Sequence, residues 1–166
     1  MSWNNTVKLV TAIGVSELAG VIGAVFTAPS IPAWYAGLVK PALNPPAWIF
    51  GPVWTTLYAL MGVSLFLVWK RHSDILQNVR MSYQCKWAVG LFFVQLALNA
   101  LWSIFFFGMH SPALALLDSI LLWCAILATM ILFCCISKPA SYLLFPYLLW
   151  VSFATYLNYS LAVLHL

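Results

Sequence analysis

The sequence predicts an all-α membrane protein, a bundle of five transmembrane helices, and three observations carry that prediction. Of the 166 residues, 64% are apolar and only 6% charged, against roughly a quarter charged in an ordinary soluble domain. The seven basic and three acidic residues are too few to cover the surface of a soluble fold of this length, so lipid must solvate much of the outside. Apolar, nearly uncharged runs of about 20 residues, the length a helix needs to cross a hydrocarbon core of roughly 30 Å, recur five times along the chain. The length suits one domain, and the runs leave no room for a soluble one.

The expected helices are 7–26, 46–69, 87–107, 112–135 and 140–164. The first carries Lys8 ahead of its apolar run and small residues after it, as a secretory leader does. It is long for such a leader and holds Glu17, so it is expected to be a retained helix. Within it Ser16, Gly20 and Ala24 form a small-residue stripe at four-residue spacing that permits close helix approach, either inside the bundle or in a homodimer. Pro46, Pro112 and Pro139 stand at or near the starts of the second, fourth and fifth helices, where a missing N–H costs least. The first loop, 27–45, contains Pro29, Pro32, Pro41, Pro45 and Gly37; it is expected to be stiff, not helical throughout, and able to cover the bundle as a lid. The polar stretch from Lys70 to Lys86 reads as a solvated connector.

Five spans put the termini on opposite sides. Lys8, Lys70, Arg71, Arg80, Lys86 and Lys138 fall on the N-terminal side and only Lys40 on the other. The excess of cations then places the N-terminus in the cytoplasm and the C-terminus outside, for a prokaryotic plasma membrane. Basic residues spread in this way are topology signals, and nucleic-acid binding is not expected of the net charge of +4. Trp3, Trp34, Trp69 and Trp87 lie near helix ends, where amphipathic rings favour the interface. Cys85, Cys124, Cys134 and Cys135 form no C-x-x-C pair and are expected to be buried free thiols. His72, His110 and His165 are isolated, so no metal site is expected.

Polar groups inside a span are costly unless they face protein or water, and they therefore mark the bundle interior. Glu17, Gln95, Asn99, Asp118 and Asn158 form that set. Gln95, Asn99 and Trp102 share one face of the third helix, and Trp150, Ala154, Leu157 and Asn158 one face of the fifth. Trp54, Tyr58 and Met61 share a face of the second, and Asp118 follows Leu114 by a turn on the fourth. Aromatic walls with few polar groups suit a site for a large, flat, mostly apolar small molecule; the same polar groups also serve as hydrogen-bonded links between helices. Glu17 and Asp118 have no basic partner within a span, and the sequence holds no acid–base pair, nucleophile triad or metal cluster for hydrolytic chemistry.

The segment from Trp34-Tyr35-Ala36-Gly37-Leu38-Val39-Lys40-Pro41 through Asn44-Pro45-Pro46-Ala47-Trp48-Ile49-Phe50-Gly51-Pro52-Val53-Trp54-Thr55-Thr56-Leu57-Tyr58 resembles the signature of the translocator protein family. That family is also known as the tryptophan-rich sensory proteins or peripheral-type benzodiazepine receptors. Gln95-Leu96-Ala97-Leu98-Asn99, Phe105-Phe106-Phe107-Gly108, Pro146-Tyr147-Leu148-Leu149-Trp150 and Phe153-Ala154-Thr155-Tyr156-Leu157-Asn158-Tyr159 resemble its third and fifth helices, so the likeness spans nearly the whole chain.

The resemblance implies a five-helix bundle, often a homodimer, whose first loop lids a pocket for porphyrins and benzodiazepine-receptor ligands. It implies no obligatory cofactor, protoporphyrin IX or a related tetrapyrrole being the ligand. Its pocket set falls on Trp48, Phe50, Gln95, Asn99, Trp102, Asp118, Trp150, Ala154 and Leu157, to which the inward faces add Trp54, Tyr58, Leu114 and Asn158. Leu114 stands where animal members have a pocket tryptophan. The expected function is a membrane receptor or sensor for a tetrapyrrole. The alternatives are a porphyrin or sterol transporter, and a light-dependent porphyrin-degrading enzyme in which Trp54 and Trp150 match the two tryptophans tied to that photochemistry. The sterol motif of animal members needs Lys or Arg after the tyrosine, whereas Tyr159 is followed by Ser160 to Leu164 and His165.

Overall fold

A computed structural model describes residues 4–74 and 79–164, with the side chains of 72–82 outside the description. Trp3 and His165, and the side chains of His72 and Arg80, therefore lie outside the described residues. Helix α1 runs Asn5–Ser30, α2 Ala47–Asp74, α3 Val79–Ser103, α4 Pro112–Ile136, α5 Lys138–Leu143 and α6 Phe145–Leu164. These make five apolar spans, α5 and α6 together forming the fifth, 27 residues long. The chain is an all-α, multi-pass integral membrane protein.

The helix ends depart from the sequence reading in three places. First, the chain from Thr27 does not leave the helix: α1 continues to Ser30 and widens into a π-helical turn at Ile31–Tyr35. Pro29 and Pro32 remove two N–H donors there, and a wider turn accommodates the loss without ending the helix. Only about residues 38–46 form a non-helical strap. Second, α2 extends to Asp74 and α3 starts at Val79, so most of the expected connector from Lys70 to Lys86 is helix. Uncharged runs locate the hydrocarbon crossing, whereas Lys, Arg, Gln and Met favour helix on both sides of that boundary. Third, the last span is broken: the Leu144 N–H turns back to the Ser141 carbonyl (3.1 Å) and Pro146 starts the new helix at its second position.

Close approach between helices is built from glycine. At Gly62 of α2 a Cβ would collide with the Ile13 backbone of α1, and at Gly20 of α1 with the Tyr58 ring. Ser16 and Ala19 are buried, so the small-residue stripe of α1 packs inside the bundle up to Gly20, whereas Ala24 is exposed. Two buried hydroxyls fasten α5: Ser64 Oγ donates to the Ala140 carbonyl (2.7 Å) and Ser141 Oγ to that of Met130 (2.8 Å). The core running through Met61, Phe92, Ile126, Phe133 and Tyr147 is essentially solvent-free.

All four cysteines are free, and Cys85 is buried. Cys124, Cys134 and Cys135 are exposed on α4, contrary to the expected burial. Against hydrocarbon a thiol behaves as a small apolar group, so an apolar run does not reveal which of its faces is internal. Trp87 is 75% exposed, as an interfacial ring would be, whereas Trp34 and Trp69 are half-buried.

Candidate binding cavity within the bundle

A cavity of about 550 Å³ lies among α1, α2, α3 and α6 under the 38–46 strap. Its size falls in the range of small-molecule sites, roughly 300–1,000 Å³. Trp48, Phe50, Trp54, Tyr58, Asn99, Trp102, Ala154, Leu157 and Asn158 all line it. Three helix-face readings, those of the second, third and fifth spans, thus converge on one space. Gln95, Leu114, Asp118 and Trp150 do not line it. Gln95 and Asp118 are buried elsewhere in the bundle, and Leu114 is 42% exposed. Trp150 stands behind the wall, its ring 6.0 Å from that of Phe50 at an interplanar angle of 70°.

The walls are aromatic rings held by one another. Trp54 stacks on Tyr58 (5.6 Å, 29°) and meets Tyr147 edge-on (6.2 Å), while Trp102 stacks on Phe106 (5.1 Å, 10°). Such pairs contribute roughly 0.5–1.5 kcal/mol beyond their buried area, which fixes ring orientation before any ligand arrives. Below them a polar chain joins three helices: Tyr58 Oη donates to Asn99 Oδ1, and Asn99 Nδ2 donates to Tyr147 Oη (3.0 Å). Asn99 is 4% exposed, so its amide is committed to helix linkage as well as to the lining. Asn158 likewise links helices, Nδ2 donating to the Pro112 carbonyl (3.1 Å), while its Oδ1 has no protein partner.

The strap is tied to the bundle at both ends. Tyr35 Oη donates to Asn44 Oδ1 (2.8 Å), closing the strap on its own base, and both residues line the cavity. Tyr35 packs edge-on against Phe106 and Phe107 (6.2 and 5.9 Å), and Ser30 Oγ donates to the Phe107 carbonyl (2.9 Å). Those phenylalanines sit in a second π-helical turn, Ile104–Gly108, so two widened turns face each other at the lid end. His110, with φ 51°, stacks on Trp34 (4.5 Å, 23°).

Sequence patterning names only Glu17 on the α1 side. Beside it Gly20, Val21, Gly23, Ala24 and Thr27 of α1 and Ile31 of the π-helical turn line the cavity, and the clue is the small-residue stripe, because small side chains leave space as readily as they permit contact. Asp118 Oδ2, both polar atoms of Gln95 and Trp150 Nε1 are buried without a protein partner, so these expected site residues are polar yet enclosed away from the cavity. No three His, Cys, Asp or Glu side chains converge among the described residues.

Fold and site together define a class: a helical membrane protein with an aromatic, lidded cavity inside the bundle. Residues 12–164 match the model of the TspO/MBR family, and the chain belongs to that family. It is 45% identical to the tryptophan-rich protein TspO of Chlorobaculum tepidum over 161 residues, 95% of each chain. Against the protein of the same name from Archaeoglobus fulgidus it is 42% identical, covering 97% of this chain and 99% of that one. The human translocator protein is 43% identical over 126 residues, 76% of this chain and 71% of that one. Membership supports a membrane sensor, receptor or transporter-type role.

Proposed function

We propose that the protein is a membrane receptor or sensor that binds a tetrapyrrole, of the protoporphyrin IX kind, in the cavity among α1, α2, α3 and α6. The observation that carries this reading is the convergence of Phe50, Trp54, Tyr58 and Trp102 on one largely apolar space of about 550 Å³. Flat rings offer stacking area to a flat macrocycle, and Asn99 and Asn158 supply a few polar atoms to orient it. Gln95, Asp118 and Trp150 support the cavity from behind, while Leu114 stays outside it. Benzodiazepine-receptor ligands are flat enough for the same space. The protein acts as a homodimer, with its N-terminus cytoplasmic in a prokaryotic plasma membrane, and high-affinity sterol binding is not part of the reading because no cation follows Tyr159.

Protoporphyrin IX titrated into purified protein is expected to quench tryptophan emission with saturation at one equivalent per chain. Linear, non-saturating quenching would contradict a defined site. Illumination separates binding from turnover. As a receptor, the wild type and Trp54→Phe lose bound porphyrin under light at the same rate, and a loss that requires Trp54 would assign the enzymatic alternative instead. A transporter would move porphyrin across proteoliposomes, and a receptor would not.

A further inference from the structure

The cavity is open on one side. Glu17, Val21, Ala24 and Ala28 follow one edge of α1 at helical spacing, and Ala47, Gly51 and Thr55 follow the facing edge of α2; all line the cavity, and every one except the partly exposed Glu17 is exposed. The two helices touch at Ile13–Gly62 and Gly20–Tyr58, and the exposed lining residues of both edges lie on the strap side of Gly62. Within a bilayer this opening faces hydrocarbon.

Glu17 lies on that rim, one turn before the Gly20–Tyr58 contact. Among the described residues it is the sole acidic residue lining the cavity, the lining holds no Lys or Arg, and no hydrogen bond or ion pair reaches its carboxyl. Lys8 lies nine residues earlier on the same helix, about 13 Å along its axis, where it approaches the Trp69 ring (6.0 Å). Lys40 belongs to the strap, its Nζ donating to the Ala36 and Leu38 carbonyls (3.2 and 3.3 Å), and Asp118 is buried on α4 away from the lining. An ionisable side chain inside a span with no partner among the described residues is a candidate site for a ligand of opposite charge. Directly above Glu17 the Tyr58 ring covers Gly20, with Trp54 stacked on it (5.6 Å).

A carboxyl beside stacked aromatic rings, in a space of low dielectric reached from the membrane, is the surrounding that an ammonium group requires. The carboxylate supplies the counter-charge and the ring faces a cation–π surface. We propose that the rim at Glu17 recognises the ammonium group of a flat, membrane-dissolved amine, whose apolar body lies among Trp54, Tyr58 and Trp102. This ligand class differs from a tetrapyrrole, whose acidic side chains Glu17 repels toward the strap, and the proposal stands whether or not porphyrin binds.

The test uses three probes on one ring system, 1-naphthylmethylamine, 1-ethylnaphthalene and 1-naphthaleneacetate, titrated calorimetrically into the full chain in phosphatidylcholine nanodiscs with empty discs subtracted. The amine is expected to bind at least about tenfold more tightly than the neutral probe, about 1.4 kcal/mol, and the anion most weakly. In Glu17→Gln the preference for the amine collapses to about one while affinity for 1-ethylnaphthalene is unchanged, which also reports an intact cavity. Equal affinities in the wild type, a preference that survives in Glu17→Gln, or parallel loss of all three probes would each overturn the proposal.

Discussion

Asn99 carries the most polar responsibility of any residue in the cavity wall. It accepts from Tyr58 and donates to Tyr147, joining α2, α3 and α6 where water is scarce. Tyr58→Phe removes one donor and leaves a buried acceptor without a partner, which costs about 1–3 kcal/mol. A lowered thermal midpoint in detergent is the expected outcome, and an unchanged midpoint would show that the link carries little stability. The same residue illustrates what spacing reveals. Gln95, Asn99 and Trp102 share a helix face, yet Asn99 and Trp102 line the cavity while Gln95 lies a turn deeper, 1% exposed and out of reach of it. A periodicity of 3.6 gives the direction in which a side chain points but not how far along the axis an empty space extends. Glu17 was legible as an interior polar residue, and its place on the cavity rim was not, because that depends on how α1 and α2 cross.

At the scale of elements, the central device is the crossing of α1 on α2. Gly62 lets the Ile13 backbone approach, and on the strap side of that contact the exposed lining residues of α1 and α2 form the open side. Gly62→Ala must push the helices apart, at a cost typical of overpacking, about 1–3 kcal/mol. Its expected signature is a lower melting midpoint with the helical circular dichroism of the folded state retained. The strap is the second device. Tyr35→Phe cuts its hydrogen bond to Asn44 while keeping the ring against Phe106 and Phe107. Bound porphyrin is then expected to dissociate several-fold faster with little change in association, a shift visible in stopped-flow release. Identical release rates would mean that the strap does not retain the ligand. The number and order of the spans could be read from hydropathy because hydrocarbon imposes a length on each span. The π-helical turns could not, since nothing in local composition separates a helix that ends at a proline pair from one that widens around it.

For the molecule as a whole, lipid replaces water as the outer solvent, and this inverts the usual reading of apolar residues. Exposed Val10, Val25, Leu117, Ile131 and Val163 need no partner, and only polar or aromatic side chains report the interior. That is why sequence patterns found the second, third and fifth helix faces of the cavity, whose lining bears Trp, Tyr and Asn, but passed over the first, whose lining is largely small and apolar. The bundle is a scaffold whose aromatic rings are locked by mutual packing around a space large enough for a flat ligand. Filling that space tests the central claim most directly. Ala154 lines it from α6, and Ala154→Trp introduces a bulky ring there. The measurement is protoporphyrin IX binding by tryptophan quenching in wild type and Ala154→Trp, with circular dichroism confirming that both are folded. Saturable binding in the wild type with at least tenfold weaker binding in the folded variant is the predicted result; equal saturable affinity in both would place the ligand elsewhere and contradict the account.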